Sequence, residues 1–447
     1  PPIFLRAPAY YMNNREIFIN FINSLFEPYK QRLLDNKEAI SCDTIGKTSK
    51  DFQLLIHQEI VRDYMNLYTP YRGLLLYHGL GSGKTATSIA IAEAMKSTKK
   101  VIVMTPASLR ANYIEELKKA GDVYYKKNQF WEWIALNNNE DLLRILSAIL
   151  NLEQDYILKQ KGAWFVNITK PSNYDELTDI ERRSLEAQLD KMIDNKYTFI
   201  NYNGLRSSKL SQLTSGYTKN LFDNAVVIID EAHNLISRIV NKIKKEKPIQ
   251  ETERGEKEHL PTSLSTKLYE YLLSAQNSRI VLLSGTPVIN YANEFGILFN
   301  ILRGYIKTWH IPLIIKTTNK IDRTTLNEML IGEKTHDYLD YSPSSKVLTI
   351  TRNPYGFKNK IKEGNKYQGV SNITKDENKK EIFETEFISD EDFERKILNI
   401  LRKNNIEANI AAIRVRYRKA LPDTFEQFSS RFIDENTKEL KNNDALK

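Results

Sequence analysis

A short apolar run that breaks into glycines and restarts as a helix constrains this chain more than any other feature. Leu74, Leu75, Leu76 and Tyr77 read as a strand buried on both faces. Gly79, Leu80, Gly81, Ser82 and Gly83 follow, then Lys84, Thr85 and a run rich in Ala and Ile. Glycines let a backbone wrap a polyphosphate with its N–H groups turned inward, and the helix N-terminus adds partial positive charge. The pattern therefore expects ATP cradled by Gly79, Gly81, Ser82 and Gly83, with Lys84 on the β- and γ-phosphates and the Thr85 hydroxyl on Mg²⁺. The usual motif has glycine at its first position, where this chain has His78. Gly46-Lys47-Thr48 repeats the letters without a preceding strand or glycine loop, and is set aside.

More apolar runs end in small or charged residues. Residues 225–229 (AVVII) lead into Asp230, Glu231, Ala232 and His233. Two carboxylates at a strand end suit phosphoryl chemistry: Asp230 to hold Mg²⁺ through water, Glu231 to orient and deprotonate an attacking water. Residues 101–105 (VIVMT) run into Pro106, and 197–201 (YTFIN) into Tyr202. Thr105, Pro106, Asn201 and Tyr202 are thereby candidates to touch a nucleic-acid backbone. Residues 280–283 (IVLL) precede Ser284, Gly285, Thr286 and Pro287. Upstream, Gln58 sits in a helical run. Its amide offers a donor and an acceptor suited to adenine, although a surface helix glutamine reads the same way.

Composition narrows the classes. Lys and Arg number 65 against 56 Asp and Glu, an excess of 9 that suits a polyanionic partner or simply a solubilising surface. Cys42 is the one cysteine, so no internal disulfide forms and a non-secreted, reducing compartment is expected. One cysteine and six histidines argue against a structural zinc site. No apolar run is long enough for a bilayer, and no membrane partner is expected.

Taken in order, HGLGSGKT, TPASL, DEAH and SGTP, each after an apolar strand, resemble the first RecA-like domain of superfamily 2 helicases and translocases. The longer stretches TPYRGLLLYHGLGSGKT, TPASLRANYIEELKKAG, YKKNQFW and SGTPVINYANEFGILFNIL are similar to helicase-like nucleoside triphosphatases of large double-stranded DNA viruses. That group includes the poxvirus early transcription factor small subunit and nucleoside triphosphatase I. The resemblance implies an α/β, P-loop fold with a mostly parallel sheet, and ATP hydrolysis with Mg²⁺. It implies a DNA or RNA strand as partner, with viral RNA polymerase or transcription factors as further candidates. The virion and host cytoplasm are the implied location. His233, Ser284 and Thr286 would couple nucleotide state to nucleic-acid grip. The alternative is an ATP-regulated subunit of a transcription or packaging assembly that does not unwind duplex.

The expected organisation is a helical N-terminal extension over 1–50, a RecA-like lobe over 51–304 with a helical insertion at 121–195, and a small α+β domain over 305–420. Ile17, Phe18, Phe21, Ile22 and Phe26 carry helical spacing in the first part. Trp131, Trp133 and Trp164 read as packing residues of the insertion, and 241–259 as a mobile, charged loop. The order βαββαβ after 305 predicts a ferredoxin-like domain, with Arg414, Arg416 and Arg418 alternating on its last strand. Related enzymes carry a second lobe with a Q-x-x-G-R-x-x-R motif, which is not found in 1–447. Residues 421–447 are therefore expected to be a linker toward such a lobe.

Overall fold

The computed structural model describes residues 26–35, 54–65, 72–79, 83–244, 263–330, 336–352, 358–362, 366–371, 373–375, 381–383, 390–434 and 437. Gly81, Ser82, residues 1–25 and most of the charged loop at 241–259 lie outside them.

The first part of the chain carries β1 (Gly73–Tyr77), β2 (Lys100–Met104), β3 (Phe130–Ala135), β4 (Gly162–Asn167), β5 (Tyr197–Ile200), β6 (Ala225–Ile229) and β7 (Arg279–Ser284). Among these, β1, β7, β6, β2 and β5 form, in that spatial order, a five-stranded sheet whose pairings are all parallel. Parallel strands need crossovers, and helices cover both faces, so the strands read as continuous apolar runs. Val226 and Ile228 face one core with the helices Lys84–Met95 and Arg110–Ala120. Val227 and Ile229 face the other, against helices Ala232–Ile243, Leu264–Ser274 and Asn293–Arg303.

Register brings the strand ends level. Tyr77 pairs with Ser284, Leu282 with Ile229, Ile229 with Met104, and Met104 with Ile200. The chain thus leaves all five strands at one edge, each time on a stretch singled out above. Ligands of open α/β sheets bind at this carboxyl edge.

At the opposite edge an unforeseen residue locks the lobe. Arg72 is 2% exposed. Its guanidinium donates to the carbonyls of Ile301 (2.7 Å), Leu272 (2.8 Å), Ala275 (3.2 Å) and Leu302 (3.4 Å). These are the C-terminal ends of two helices, where a cation answers the helix dipole and the orphan carbonyls together. Gly73 must lack a side chain, because a Cβ there would stand 2.3 Å from the Leu302 carbonyl oxygen.

The 121–195 insertion is helical over Glu140–Leu150, Gln154–Gln160 and Asp179–Lys196, but β3 and β4, on either side of the first two helices, pair antiparallel. The helical expectation is corrected here. FWEWIA is rich in aromatic residues with one β-branched Ile, a composition that favours a strand. Trp131 and Trp164 are buried, while Trp133 stays part-exposed, edge-on to Trp164 at 5.4 Å between centroids. The insertion's apolar residues continue the lobe's first core without a break.

A third core is built on β8 (Ile306–Ile315), β9 (His336–Ser342), β10 (Val347–Arg352), β15 (Ile406–Ala408) and β16 (Arg414–Arg418); the short strands β11 (Lys358–Lys362), β12 (Lys366–Ser371), β13 (Ile373–Lys375) and β14 (Glu381–Phe383) lie between β10 and β15 in the chain. Its main sheet runs β15-β8-β10-β9, all antiparallel, with β16 also on β8. Helix Arg323–Leu330 falls between β8 and β9, and helix Asp390–Lys403 before β15. The expected βαββαβ order is met by other strands than those read from the sequence: β9 was not foreseen, and the strand read over 381–388 is described at Glu381–Phe383 as β14, in a separate pair with β13. The hairpins β11–β12 and β13–β14 interrupt it, and the last strand is split, a 3₁₀ turn at Ile410–Ala412 dividing β15 from β16.

Residues 421–432 are not a free linker. Leu421 exchanges hydrogen bonds with the Asn300 side chain (2.9 and 2.8 Å), and Asn293 Nδ2 donates to the Asp423 carbonyl (2.9 Å). Phe425 meets Tyr291 edge-on, and helix Phe425–Phe432 follows. The segment therefore runs antiparallel along helix Asn293–Arg303, back toward the edge where the polar strand ends gather. At the N-terminal side, helix Glu27–Asp35 packs on Ile56–Asp63 through Tyr29–Asp63 and Arg32–Glu59 hydrogen bonds.

Candidate nucleotide site

After β1 the chain turns at His78 and Gly79, and helix Lys84–Met95 starts from Gly83 at φ 75°. That left-handed conformation favours glycine. Lys84 Nζ donates to the carbonyls of His78 (3.0 Å) and Gly79 (3.2 Å), so the ammonium lies inside the curve of the loop. The turn after β7 flanks it, with Gly285 beside Lys84 Nζ and the His78 carbonyl. His78 stacks edge-on with His57 at 5.9 Å, and its Nδ1 is buried without a partner. Burial holds its pKa below the ordinary histidine value, with help from His57 and Lys84.

Gln58 is 3% exposed. Its Oε1 accepts from Leu55 N–H (3.0 Å) and its Nε2 donates to the Gly83 carbonyl (3.4 Å). Neither of the readings drawn from the sequence foresaw this placement: the side chain braces the glycine that opens the helix. Thr85 lies at the same helix start, half-buried.

Asp230 follows β6 directly, with its N–H on the Met104 carbonyl (2.8 Å). Burial pushes its carboxyl up to about 6, the Glu231 carboxylate adds to this, and the Glu231 N–H (3.0 Å) and Lys84 pull the other way. A carboxylate held in so little water is suited to a cation. Glu231 has φ 46° and caps helix Ala232–Ile243. A left-handed non-glycine residue costs about 1–3 kcal/mol and persists only where its surroundings enforce it. Here Tyr202 does so: its hydroxyl donates to the Asp230 carbonyl (2.9 Å) and lies 3.1 Å from the Glu231 carbonyl.

A polar chain runs from this turn to β7. Glu231 Oε2 stands 3.4 Å from His233 Nδ1, which is 3.0 Å from Ser284 Oγ. Ser284 Oγ in turn accepts from Thr286 N–H (3.0 Å). β7 lies between β1 and β6, so Ser284 stands between the phosphate loop and the carboxylates.

The expected nucleic-acid contacts are less uniform. Asn201 Oδ1 closes a turn by accepting from Asn203 N–H (3.0 Å) and Gly204 N–H (3.2 Å), and Asn203 and Gly204 are exposed. Two expectations are corrected. Tyr202 is 4% exposed and Thr105 1%, so neither offers a surface to a strand. Tyr202 points into the core to reach the Asp230–Glu231 turn, and the Thr105 hydroxyl donates back to the Pro106 carbonyl (3.3 Å). Pro106 is half-buried; Ala107 and Ser108 are the exposed residues of that strand end. Among the described residues no group of three or more His, Cys, Asp or Glu is placed to hold a metal, and no helix is long and apolar enough to cross a membrane.

Comparison with known proteins agrees with this geometry. Residues 52–287 match the family model ResIII, described as "Type III restriction enzyme, res subunit". The "Putative ATP-dependent RNA helicase R563" of Acanthamoeba polyphaga mimivirus is 30% identical over 284 residues, covering 63% of this chain and 38% of its own length. A "Termination factor NPH-I homolog" of African swine fever virus is 24% identical over 322 residues, covering 70% of this chain and 35% of its own. The chain thus spans little more than a third of these relatives. The SWI2/SNF2 ATPase core of Sulfolobus solfataricus, solved with dsDNA, aligns over 56% of this chain and 35% of its own, at 16% identity and a TM-score of 0.27. With its parallel sheet and more than half of its residues inside the match, the chain belongs to the ResIII family of helicase-like proteins.

Proposed function

We propose that this chain is the nucleotide-binding lobe of a viral, nucleic-acid-dependent ATPase of superfamily 2, a helicase or translocase acting in transcription or genome handling. The observation that carries the reading is the continuity of the edge: the Lys84 loop, the Ser284–Thr286 turn and the Asp230–Glu231 turn end adjacent strands and touch one another.

These residues fit Mg-ATP. Lys84 replaces two carbonyl contacts by phosphate oxygens. Gly79 and Gly83, with Gly81 and Ser82 outside the described residues, would supply backbone N–H groups, and Gln58 holds the last of these glycines. Thr85 and Asp230 would hold Mg²⁺, which when bound offsets the charge on the phosphates. Glu231 is the base for the attacking water. His233, Ser284 and Thr286 form the route between that carboxylate and the exposed turn after β7. Thr286 is exposed and meets the nucleic acid, together with Pro106, Ala107, Ser108, Asn201 and Asn203. DNA or RNA is the partner, viral polymerase or transcription factors are further candidates, and the virion and host cytoplasm the place of action. A transcription role that does not unwind duplex is the second reading, favoured by relatives named as termination factor homologues.

The test is Lys84→Ala in the full-length protein. Mg-ATP turnover, assayed with and without single- and double-stranded nucleic acid, should fall at least 100-fold, about 3 kcal/mol of transition-state stabilisation. Turnover near wild type in that variant sinks the reading.

A further inference from the structure

The loop 201–204 and the turn 230–231 belong to strands that are not neighbours. β2 lies between β5 and β6 in the sheet. Yet the two segments are joined over the end of β2 by a set of side-chain bonds the phosphate site does not need. From the loop, the Tyr202 hydroxyl reaches the carbonyls of Asp230 (2.9 Å) and Glu231 (3.1 Å). From the helix that Glu231 caps, Arg238 Nη1 donates to the Tyr202 carbonyl (3.1 Å) and to Asn203 Oδ1 (2.9 Å). The tyrosine ring is buried in the second lobe core, so the loop cannot shift without moving the hydroxyl.

We infer that Tyr202 is a positioning residue that links occupancy of the exposed 201–204 loop to the backbone angle of Glu231, and so sets the aim of the base when a nucleic-acid strand is bound. Asn203 and Gly204 are the exposed end of this link, and Glu231 is the working end. The route is separate from the His233–Ser284 chain, which leaves Glu231 by its side chain toward β7. Tyr202 grips the same residue by its carbonyl, from the other side of β6. A left-handed residue is suited to this, because releasing one hydrogen bond lets it relax toward ordinary helical angles and turns its side chain away.

The inference rests on the ATPase reading above, and its test separates the two. In the full-length protein, Tyr202→Phe keeps the buried ring and removes only the hydroxyl. ATP turnover is measured without nucleic acid and at saturating single-stranded DNA and RNA oligonucleotides. Mg-nucleotide affinity and oligonucleotide affinity are measured separately. The expected result is a roughly 5-fold fall in the ratio of stimulated to unstimulated turnover, the size of one net hydrogen bond, with both affinities within twofold of wild type. Arg238→Ala guards against a folding defect, since Arg238 is exposed. It should lower the same ratio, and the double variant should be no worse than Tyr202→Phe alone. An unchanged ratio, an equal fall in basal and stimulated turnover, or additive losses in the double variant overturns the link. A wild-type protein without any stimulation overturns the ATPase reading instead.

Discussion

The two five-stranded sheets show why one part declares a chemistry and the other does not. In the β1-β7-β6-β2-β5 sheet every strand points the same way, so its polar strand ends collect at one edge, and both faces are left to the core. In the β8–β16 domain neighbouring strands point opposite ways. Its Trp309, Ile311, Leu348 and Ile350 face a core, while Thr308, His310, Thr349, Arg414 and Arg416 share the other face. No edge gathers its strand ends, and its polar residues are spread over a surface. Parallel topology concentrates function, and antiparallel topology distributes it.

The sharpest way to break this contrast is to remove one core and watch the other. Trp309 is 1% exposed, packs on Phe393 at 4.8 Å between centroids, and donates to Glu394 (3.2 Å). Trp309→Ala should cost the β8–β16 domain about 3–5 kcal/mol while nucleotide affinity of the lobe stays within twofold. Differential scanning calorimetry with a nucleotide-binding titration checks this. Loss of both together would mean that the cores fold as one unit.

Acid should separate the regions next. His336 is pushed down to about 4 by burial, with Nδ1 unpartnered and Nε2 on Asn327 (3.1 Å). The unfolded chain takes up a proton near the ordinary value of 6.5, the folded domain only near 4, so stability is lost as pH falls between them. At roughly 1.4 kcal/mol per unit the loss approaches about 3 kcal/mol. Asp230 acts in the opposite sense. Its raised carboxyl destabilises the ligand-free lobe above about 6, and protonation relieves this as pH falls. Denaturant unfolding at pH 7 and pH 4.5, with proteolysis to assign each transition, should show the β8–β16 domain weakened. His336→Gln should flatten that dependence; an equal dependence in the variant would remove histidine as its cause.

The smallest expected effect concerns the joint between the regions. A Cβ on Gly296 would stand 2.2 Å from the Pro422 carbonyl oxygen. Gly296→Ala should loosen the 421–432 segment by about 1–3 kcal/mol, as overpacking does. Limited proteolysis in 419–434 should quicken, with nucleotide affinity unchanged. Unaltered cleavage would show that the segment has a second anchor.

Much of the lobe was legible because its signals are local. An apolar run, a glycine turn and a helix lie within one stretch, and the same logic found Asp230, Glu231 and Ser284 at strand ends. The β3–β4 pair has no clear local sign: two helices separate its strands, and charged helical segments flank them. The docking of 421–432 had no local sign at all. Its partners Asn293 and Asn300 lie more than a hundred residues away.

The sequence by itself determined which strands form, that they are buried on both faces, and which residues follow each of them, since these depend on period and turn chemistry within a few positions. That the Ser284 strand lies between those of Lys84 and Asp230 is implied by the family resemblance and by no local pattern; tertiary structure decided the full order β1-β7-β6-β2-β5 and the meeting of the three side chains' turns. It also turned Tyr202 and Thr105 inward and made Arg72 a clasp for two helix ends. Whether a polar side chain faces water or a neighbouring carbonyl depends on what the rest of the chain places opposite it, and no local pattern records that.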